Sequence, residues 1–327
     1  MARVFLSGGS GFIGGAVCSR LIARGDDVVA LARSETAATI VSERGAEPLR
    51  AEVLDEDLIA AGMRGCAVAY HVAGVNSHCP EDPAELMRVN VAGAEAAVRA
   101  AARAGVPRLV LTSSAAAVGE PKGAIGREDT PHRGWYLSLY DRSKHEGERR
   151  AFDAAARLGV EVVAVNPSSV QGPGRSAGNG KLLIDYLNGK LPVFVDVHIS
   201  VVDIDDTAAG HVLAAERGRP GARYVLNGAT VQIREVLEML FRLTGVEQSV
   251  RMAPPVLARS VATIAEGVGR ARGSTSSMCR ARMRTILHGH RYDGSRAASE
   301  LGLVYTPLAE TFRRTIEWAR EEGLLTR

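Results

Sequence analysis

The start of the chain constrains its fold more than any other segment. An apolar run, Val4–Leu6, is followed at once by Gly8, Gly11 and Gly14, and then by apolar residues at helical spacing over Ala16–Ala23. This order predicts a buried strand, a tight turn and a helix. Glycines would let the turn approach a pyrophosphate, which the first helical N–H groups and the positive helix end would hold. A purely structural tight turn is the alternative.

The rest of the N-terminal half alternates in the same way. Strand-like apolar runs recur and are separated by helix-like segments: strands over Val28–Ala32, Ala67–Val72, Arg108–Thr112 and Val160–Val165, and helices over Pro83–Ala104 and Tyr140–Leu158. Such alternation predicts an α/β fold with a doubly wound parallel sheet. It weakens beyond Asn166, where a segment rich in Gly, Pro and Ser (171–180) is typical of a loop over a site. We therefore predict a nucleotide domain over 1–167, which also receives roughly 200–216 and 290–302, and a smaller mixed substrate lobe mainly over 168–327.

Composition narrows the class of protein. The 327 residues are 46% hydrophobic, and no apolar run approaches the roughly 20 residues of a membrane span. The first strand begins almost at once, which leaves no room for a signal peptide. The four cysteines (Cys18, Cys66, Cys79 and Cys279) have neither metal-ligand nor disulfide-framework spacing, and we expect free thiols in a reducing compartment. A net charge of +3 does not indicate nucleic-acid binding. We expect a cytoplasmic protein.

The end of the second predicted strand indicates which dinucleotide is bound. An NAD site usually carries an acidic residue there, which accepts hydrogen bonds from the ribose hydroxyls. This chain has Arg33 at that place. A guanidinium can pair with a 2′-phosphate and stack on an adenine. The sequence therefore favours NADP(H), with NAD(H) as the alternative cofactor and a solvated loop arginine as the structural alternative.

Tyr140 and Lys144 are spaced so that they share one helix face. An ammonium about 4 Å from a phenolate would attract it by about 4 kcal/mol at an effective dielectric constant of about 20. That bounds the lowering of the tyrosine pKa at about 3 units. The phenol could then exchange protons near neutrality. An amphipathic surface helix is the alternative explanation of this spacing.

Five motifs in order along the chain carry a family resemblance. They are Gly8-Gly9-Ser10-Gly11-Phe12-Ile13-Gly14, His71-Val72-Ala73-Gly74, Thr112-Ser113-Ser114-Ala115, Tyr140-Asp141-Arg142-Ser143-Lys144 and Asn166-Pro167-Ser168-Ser169-Val170-Gln171-Gly172-Pro173-Gly174. Over nearly its whole length the chain resembles an extended short-chain dehydrogenase/reductase of the NAD-dependent epimerase/dehydratase family, in its dihydroflavonol-4-reductase-like branch. The resemblance implies a Rossmann fold and an NAD(P)-dependent oxidoreductase.

The resemblance also assigns catalytic roles. Tyr140 would donate a proton in carbonyl reduction or accept one in alcohol oxidation, and Lys144 would lower its pKa and bind the nicotinamide ribose. Ser114 would bind the substrate oxygen, with Ser113 as its rival. Either serine could instead cap its own turn. Asn90 would order the active-site helix and a water.

The cofactor would be bound by residues from seven segments of the chain. The implied set is Gly8, Ser10, Gly11, Phe12, Ile13, Arg33, Glu52, Val53, Ala73, Asn90, Tyr140, Lys144, Pro167, Ser168, Ser169 and Val170. One member departs from the family pattern, which often has Gly-Asp-Leu or Gly-Asp-Val where this chain has Ala51-Glu52-Val53. The longer side chain of Glu52 puts its contact with the adenine in doubt.

The same triad serves several reactions. We favour reduction of a small or medium carbonyl compound, because Val118 stands where epimerases of the family tend to have an aromatic residue. Nucleotide-sugar epimerisation and 3β-hydroxysteroid dehydrogenation are alternatives, and a non-enzymatic nucleotide sensor is disfavoured by the intact triad. Sugar dehydration is disfavoured, since no Thr-Asp-Glu arrangement lies near Ser114. Partners would be a small-molecule carbonyl or alcohol, no nucleic acid, and a second subunit if the chain forms a homodimer.

The C-terminal lobe should determine the substrate. Its segment 270–291 carries six arginines and no acidic residue before Asp293. It could be an anion-binding surface or, as we favour, a solvated basic surface partnered by Glu266, Glu300 or other acidic residues. Trp135 and Tyr136 could face the substrate or pack their own loop.

Overall fold

Strands and helices alternate along the computed structural model, which describes residues 1–246, 248–271 and 279–326. The strands are β1 Arg3–Ser7, β2 Asp27–Ala32, β3 Glu47–Arg50, β4 Val68–His71, β5 Arg108–Thr112, β6 Glu161–Pro167, β7 Ser169–Gln171, β8 Val193–Phe194, β9 His198–Asp203, β10 Arg223–Leu226, β11 Ala229–Gln232 and β12 Arg251–Met252. The helices are α1 Phe12–Ala23, α2 Glu35–Glu43, α3 Glu56–Met63, α4 Pro83–Met87, α5 Gly93–Ala104, α6 Leu139–Leu158, α7 Asn179–Leu187, α8 Ile204–Arg217, α9 Ile233–Thr244, α10 Pro255–Ala271, α11 Arg280–His288 and α12 Leu308–Glu321.

The main sheet has seven strands in the described residues, in the order β10-β6-β5-β4-β1-β2-β3. Each neighbouring pair is parallel. The chain winds outward in one direction from β1 and in the other from β4, so the crevice beyond the carboxyl ends of these two strands is the expected ligand site. Separate buried clusters cover the two faces, one around Val17 and Val212 and the other around Val98 and Ala154. The predicted doubly wound parallel sheet is confirmed.

A smaller mixed region follows the main sheet. It contains a three-stranded sheet ordered β11-β9-β7, a two-stranded sheet of β12 and β8, and a buried cluster from α7, α9 and α12. The predicted smaller mixed lobe is therefore present. Strand β10, which returns to the edge of the main sheet beside β6, was not predicted from the sequence. No helix among the described residues is long and apolar enough to cross a membrane.

One predicted helix is interrupted. Instead of continuing over Pro83–Ala104, the chain forms a π-helical turn over Arg88–Ala92 between α4 and α5. The turn carries Asn90, whose side chain is buried and bonded to neighbouring segments. Helical periodicity predicts the axis but not such a break, because the break is stabilised by tertiary hydrogen bonds.

The expectation of four free thiols is wrong for two cysteines. Cys79 and Cys279 form a disulfide across a sequence separation of 200 residues, whereas Cys18 and Cys66 are free and buried. The pairing depends on tertiary structure, which brings the loop after β4 beside the start of α11. Local spacing could not reveal it. Because two of the four cysteines are paired, the cysteines no longer support a reducing compartment, and the cytoplasmic location stays a prediction.

We expect peptide mapping of the unreduced protein to recover a peptide containing Cys79 linked to one containing Cys279. The two buried thiols should react with an alkylating reagent only after unfolding, because their side chains are covered in the fold. Mass spectrometry before and after denaturation measures both. Alkylation of Cys79 and Cys279 in oxidised, folded protein would contradict the pairing.

Candidate active site

The glycine turn has the shape that an anion site requires. Gly8 adopts a φ of 79°, and a Cβ atom there would lie 2.7 Å from the backbone nitrogen of Ala73. A Cβ atom on Gly14 would lie 2.0 Å from the carbonyl oxygen of Gly8, so only glycine lets α1 pack this closely on the turn. Within the described residues, α1 begins after Gly11 with no side-chain cap and no acidic residue in its first turn. Its first N–H groups therefore fit a pyrophosphate.

The carboxyl ends of β1 and β4 are tied together beside this turn. The Ser7 hydroxyl lies 3.0 Å from Nδ1 of His71 and accepts a hydrogen bond from the Ala73 backbone N–H at 3.2 Å. Burial lowers the pKa of His71 to about 3, and the nearby Lys144 ammonium acts in the same direction. His71 is thus neutral and acts as a hydrogen-bonding brace for the crevice.

The predicted adenine-side residues lie at the ends of the next two strands. Arg33 directly follows β2, its side chain is 73% exposed, and its guanidinium lies 3.9 Å from the Glu85 carboxylate. Glu52 is exposed just beyond β3, where its backbone N–H donates to Asp55. Val53 is partly buried and packs against Gly93, where a Cβ atom would lie 3.2 Å from it. The structure thus brings Arg33 and Glu52 to one edge of the sheet.

Tyr140 lies in the first turn of α6. The helix begins at Ser138, whose hydroxyl accepts a hydrogen bond from the Asp141 backbone N–H. Only 8% of Tyr140 is exposed. Burial raises the pKa of this phenol, the Asp141 carboxylate also raises it, and a hydrogen bond with Ser114 and the charge of Arg175 lower it. The net direction is upward, so the expected lowering toward neutrality is not found.

Lys144 lies one turn further along α6 and is partly buried. Its Nζ atom donates to the Thr112 backbone oxygen at 3.1 Å. Burial lowers its pKa to about 8, while the Glu148 carboxylate raises it. The side chain also lies within 3.1 Å of where a Cβ atom on Gly74 would stand. Lys144 is therefore held in the crevice wall by backbone contacts, and at pH 7 it carries its proton.

Ser114 and its rival Ser113 differ in their surroundings. The Ser114 hydroxyl is the one that forms a hydrogen bond with Tyr140, and it also accepts from the Ala116 backbone N–H at 3.2 Å. The Ser113 hydroxyl is buried without a hydrogen-bond partner among the described residues. Asn166 donates to the Ser114 backbone oxygen at 3.0 Å and to Glu148 at 2.7 Å. The geometry therefore brings Ser114 to the tyrosine and braces it from β6.

Asn90 connects the loop after β4 to α6. Its amide donates to the Val75 carbonyl and to the Ser143 hydroxyl, both at 2.9 Å, and its oxygen accepts from the Val75 N–H at 2.7 Å. Gly147 completes the packing, because a Cβ atom there would lie 2.2 Å from the Asn90 backbone oxygen. These contacts fit the predicted role of Asn90 in ordering α6.

The end of β6 at Pro167 and the start of β7 at Ser169 border the crevice on the β6 side. The backbone N–H of Ser168 donates to Leu226, which joins this corner to β10, and Val170 is buried in β7 beside Ser169. Sequence reasoning missed Arg175. It donates to the Val170 backbone oxygen at 3.2 Å, and its guanidinium lies 5.3 Å from the centre of the Phe12 ring. The loop over 171–180 thus carries a cation across the glycine turn.

A cavity of about 930 Å³ opens between the loop after β4 and the helices α10 and α11. Its wall includes Trp135, Leu137, Met283 and both disulfide cysteines. His78 joins the cavity to the tyrosine, because it lines the cavity and its ring lies 5.0 Å from that of Tyr140. His78 is another residue that the sequence did not single out.

The two aromatic residues before α6 have different surroundings. Trp135 lines the cavity, whereas Tyr136 packs against His132 and His145, with ring centres 5.0 and 5.7 Å away. Only Trp135 is therefore placed to meet a substrate.

The basic segment is partly neutralised. Arg280 forms an ion pair with Glu266 at 3.2 Å, whereas Glu300 pairs with Arg219 and Arg296 instead. Arg284 lines the cavity. Arg272 lies outside the described residues. The pairing of Arg280 with Glu266 agrees with a compensated surface at this one arginine, and for the segment as a whole the compensated surface stays a prediction.

Comparisons with known proteins agree with this architecture. The model of the NAD dependent epimerase/dehydratase family matches residues 4–227. A Synechocystis protein that bears the name of a dihydroflavonol 4-reductase is 30% identical over 98% of this chain and 95% of its own. Sterol demethylase protein B of Methylococcus capsulatus is 31% identical over 98% and 99%. The crystal structure of gox2253 has 27% identity and a TM-score of 0.86 over 99% of both chains.

Proposed function

Since the chain belongs to the NAD dependent epimerase/dehydratase family and is an NAD(P)-dependent oxidoreductase of the extended short-chain type, we propose a specific reaction for it. The protein reduces a carbonyl compound with NADPH. The observation that carries the proposal is that α6 brings Tyr140 and Lys144 to the carboxyl end of β5, beside the crevice and the cavity. There Lys144 donates to the Thr112 backbone oxygen, and the Ser114 hydroxyl lies close enough to Tyr140 to lower its pKa. Parallel sheets of this kind bind their ligands at that edge.

Each residue of the triad has a defined task. When bound, the nicotinamide cofactor supplies the hydride that adds to the carbonyl carbon. Ser114 donates a hydrogen bond to the carbonyl oxygen, and Tyr140 gives that oxygen its hydroxyl proton, which completes the alcohol. The resulting tyrosinate is stabilised by the Lys144 ammonium through the charge–charge attraction of the two groups. Alcohol oxidation uses the same steps in reverse.

The elevated pKa of Tyr140 suits the reductive direction. A phenol that keeps its proton at neutral pH is ready to donate it, and burial excludes water that would compete for the carbonyl oxygen. Lys144, with a pKa of about 8, loses its charge in mildly alkaline solution. Reduction should therefore weaken as the pH rises through this range.

The walls of the cavity suggest the class of carbonyl compound. Trp135, Leu137, Met283 and Leu287 present apolar or aromatic surface, and Trp135 is 54% exposed. Such a wall favours a substrate with an apolar or aromatic body attached to the carbonyl group. The same wall also carries Lys122, Arg259 and Arg284, so the substrate panel rather than the lining separates the reductase from the epimerase alternative.

A substrate panel tests the proposal. NADPH oxidation is followed against aromatic aldehydes, ketosteroids, flavanonols and aliphatic ketones, and we expect turnover with at least one apolar or aromatic carbonyl. In parallel, the protein is incubated with nucleotide sugars without added cofactor. Formation of a C4-inverted sugar, with no NADPH-dependent reduction across the panel, would instead establish an epimerase.

The preference for NADPH depends on Arg33. Its exposed side chain follows β2, the strand end that meets the adenosine ribose in sheets of this kind, and a charge-assisted hydrogen bond to a 2′-phosphate would contribute about 1.5–3 kcal/mol. We therefore expect Arg33→Ala to weaken NADPH binding about 10- to 100-fold and to leave NADH binding almost unchanged. Fluorescence titration with both nucleotides measures the ratio.

Arg64→Ala is the matched control, because Arg64 is also an exposed arginine. It lies between α3 and β4, at the amino ends of the strands and away from the carboxyl ends where the cofactor would bind. It should bind both nucleotides like the wild type. Equal affinity of the wild type for NADH and NADPH would overturn the cofactor preference and leave the reductase proposal to the substrate panel.

A further inference from the structure

Two histidines and a glutamate converge on one buried point that the triad does not use. His288 ends α11, Gly289 reverses the chain with a φ of 70°, and His290 follows, so the two imidazole rings lie 4.7 Å apart. Glu120 reaches them from the turn after the active-site serine. Its Oε1 atom lies 3.3 Å from Nε2 of His288 and 2.6 Å from Nδ1 of His290. One ligand atom from each residue falls within 4.8 Å of the other two.

Hydrogen bonding alone leaves this cluster incompletely satisfied. Among the described residues, Oε2 of Glu120 and Nε2 of His290 have no hydrogen-bond partner, and Nε2 of His288 has only the 3.3 Å approach of Glu120 Oε1. The side chains of Glu120 and His288 are only 1% and 3% exposed. A buried polar atom without a partner costs about 1–3 kcal/mol. A cation bound by the carboxylate and the imidazole lone pairs would satisfy all three groups at once.

We propose that Glu120, His288 and His290 form a binding site for a divalent transition-metal ion of the Zn²⁺ class. Imidazole nitrogen with a single carboxylate is a ligand set that suits Zn²⁺ and its neighbours rather than Ca²⁺ or Mg²⁺. In a tetrahedral site with bonds of about 2.1 Å the ligand atoms lie about 3.4 Å apart, close to the 3.3 Å between Glu120 and His288. The 2.6 Å between Glu120 Oε1 and His290 Nδ1 is a hydrogen-bond distance, so His290 would bind the ion through its other ring nitrogen, Nε2.

The surroundings support such a site. The Tyr292 hydroxyl lies 2.9 Å from Nδ1 of His290 and can orient that ring from outside the ligand set. The backbone N–H of Gly126 donates to the Arg291 oxygen, and the Asp293 N–H donates to the Gly126 oxygen, so the two ligand-bearing segments are fixed side by side. His288 also lines the cavity. Three protein ligands leave one position of a tetrahedral ion open, and here the ion would sit at the cavity wall.

Co²⁺ binding tests the site directly, because its visible absorption reports the number and kind of ligands. The chelator-treated, oxidised protein should take up one equivalent of Co²⁺, with the intense bands of a four- or five-coordinate ion and without a thiolate charge-transfer band. Zn²⁺ should displace it. Glu120→Gln, His288→Gln and His290→Gln should each weaken Co²⁺ binding at least about tenfold.

His145→Gln is the matched control, because His145 forms the other close histidine pair, with its ring 4.3 Å from that of His132. It should bind Co²⁺ like the wild type. Circular dichroism and NADPH titration check the fold, and if Glu120→Gln does not fold, the two histidine variants decide. Absence of stoichiometric uptake by the wild type, unchanged binding in the cluster variants, or loss of binding in His145→Gln would each overturn the proposal.

Discussion

Replacing Tyr140 with phenylalanine is expected to lower kcat about 10²- to 10⁴-fold while leaving NADPH affinity nearly unchanged. The change deletes only the hydroxyl, which is buried and hydrogen-bonded to Ser114. The ring keeps its contact with His78. Steady-state NADPH oxidation measures the loss, and nucleotide titration shows that the site is otherwise intact.

Tyr136→Phe is the control for Tyr140→Phe, because it removes a hydroxyl four positions earlier and outside the triad. Tyr136 packs against His132 and His145, and its loss of a hydroxyl should change kcat little. If Tyr140→Phe retained near wild-type turnover with a substrate from the panel, the tyrosine would not be the proton donor. The assignment of the triad would then be wrong.

Replacing Lys144 with methionine should have opposite effects on activity and stability. Activity should fall at least as far as in Tyr140→Phe, since the tyrosinate loses its counter-charge. Stability should rise at neutral pH, because burial lowers the pKa of Lys144 to about 8, so the fold carries a cost for holding the charged amine. That cost is on the order of 3 kcal/mol before the loss of the hydrogen bond to Thr112 is subtracted.

The gain in stability of Lys144→Met depends on pH, because the pKa of Lys144 differs between the folded and the unfolded protein. Between about pH 8 and its ordinary value of 10.5, the unfolded chain binds more protons than the folded one, so the stability of the wild type rises with pH. The advantage of Lys144→Met should therefore be full below about pH 8 and shrink as pH 10.5 is approached.

Denaturant unfolding across this range measures the effect of Lys144→Met. Lys181→Met is the control, because Lys181 is an exposed lysine on α7 paired with Asp185. A destabilised Lys144→Met protein at pH 7, or a gain independent of pH, would contradict the account.

Local patterns predicted much of the fold correctly. The strand, glycine turn and helix at the start of the chain each follow from residues that are neighbours in sequence. The ends of α5 and α6 are predicted by Gly105 and Gly159, which adopt the left-handed conformation at each helix end. The apolar runs Arg108–Thr112 and Val160–Val165 predicted the bounds of β5 and β6 to within two residues.

What the sequence did not predict depends on contacts between distant residues. The π-helical turn at Asn90 is fixed by partners near Val75 and Ser143. β10 is only four residues long and owes its place to its pairing with β6. The raised pKa of Tyr140 follows from burial, which spacing along a helix does not report. The cluster of Glu120, His288 and His290 joins segments too far apart for any spacing rule.

The bond between Cys79 and Cys279 has a consequence for how ligands exchange. It joins two walls of the cavity with their Cα atoms 6.0 Å apart, so in the oxidised protein these walls cannot swing away from each other. Gating is then left to side chains at the rim, such as the exposed Trp135. Rotamer exchange of exposed side chains takes picoseconds to nanoseconds, whereas hinge motions of domains take microseconds to milliseconds. We therefore expect ligand exchange in the oxidised protein to depend on side-chain motion, which is the faster of these two classes.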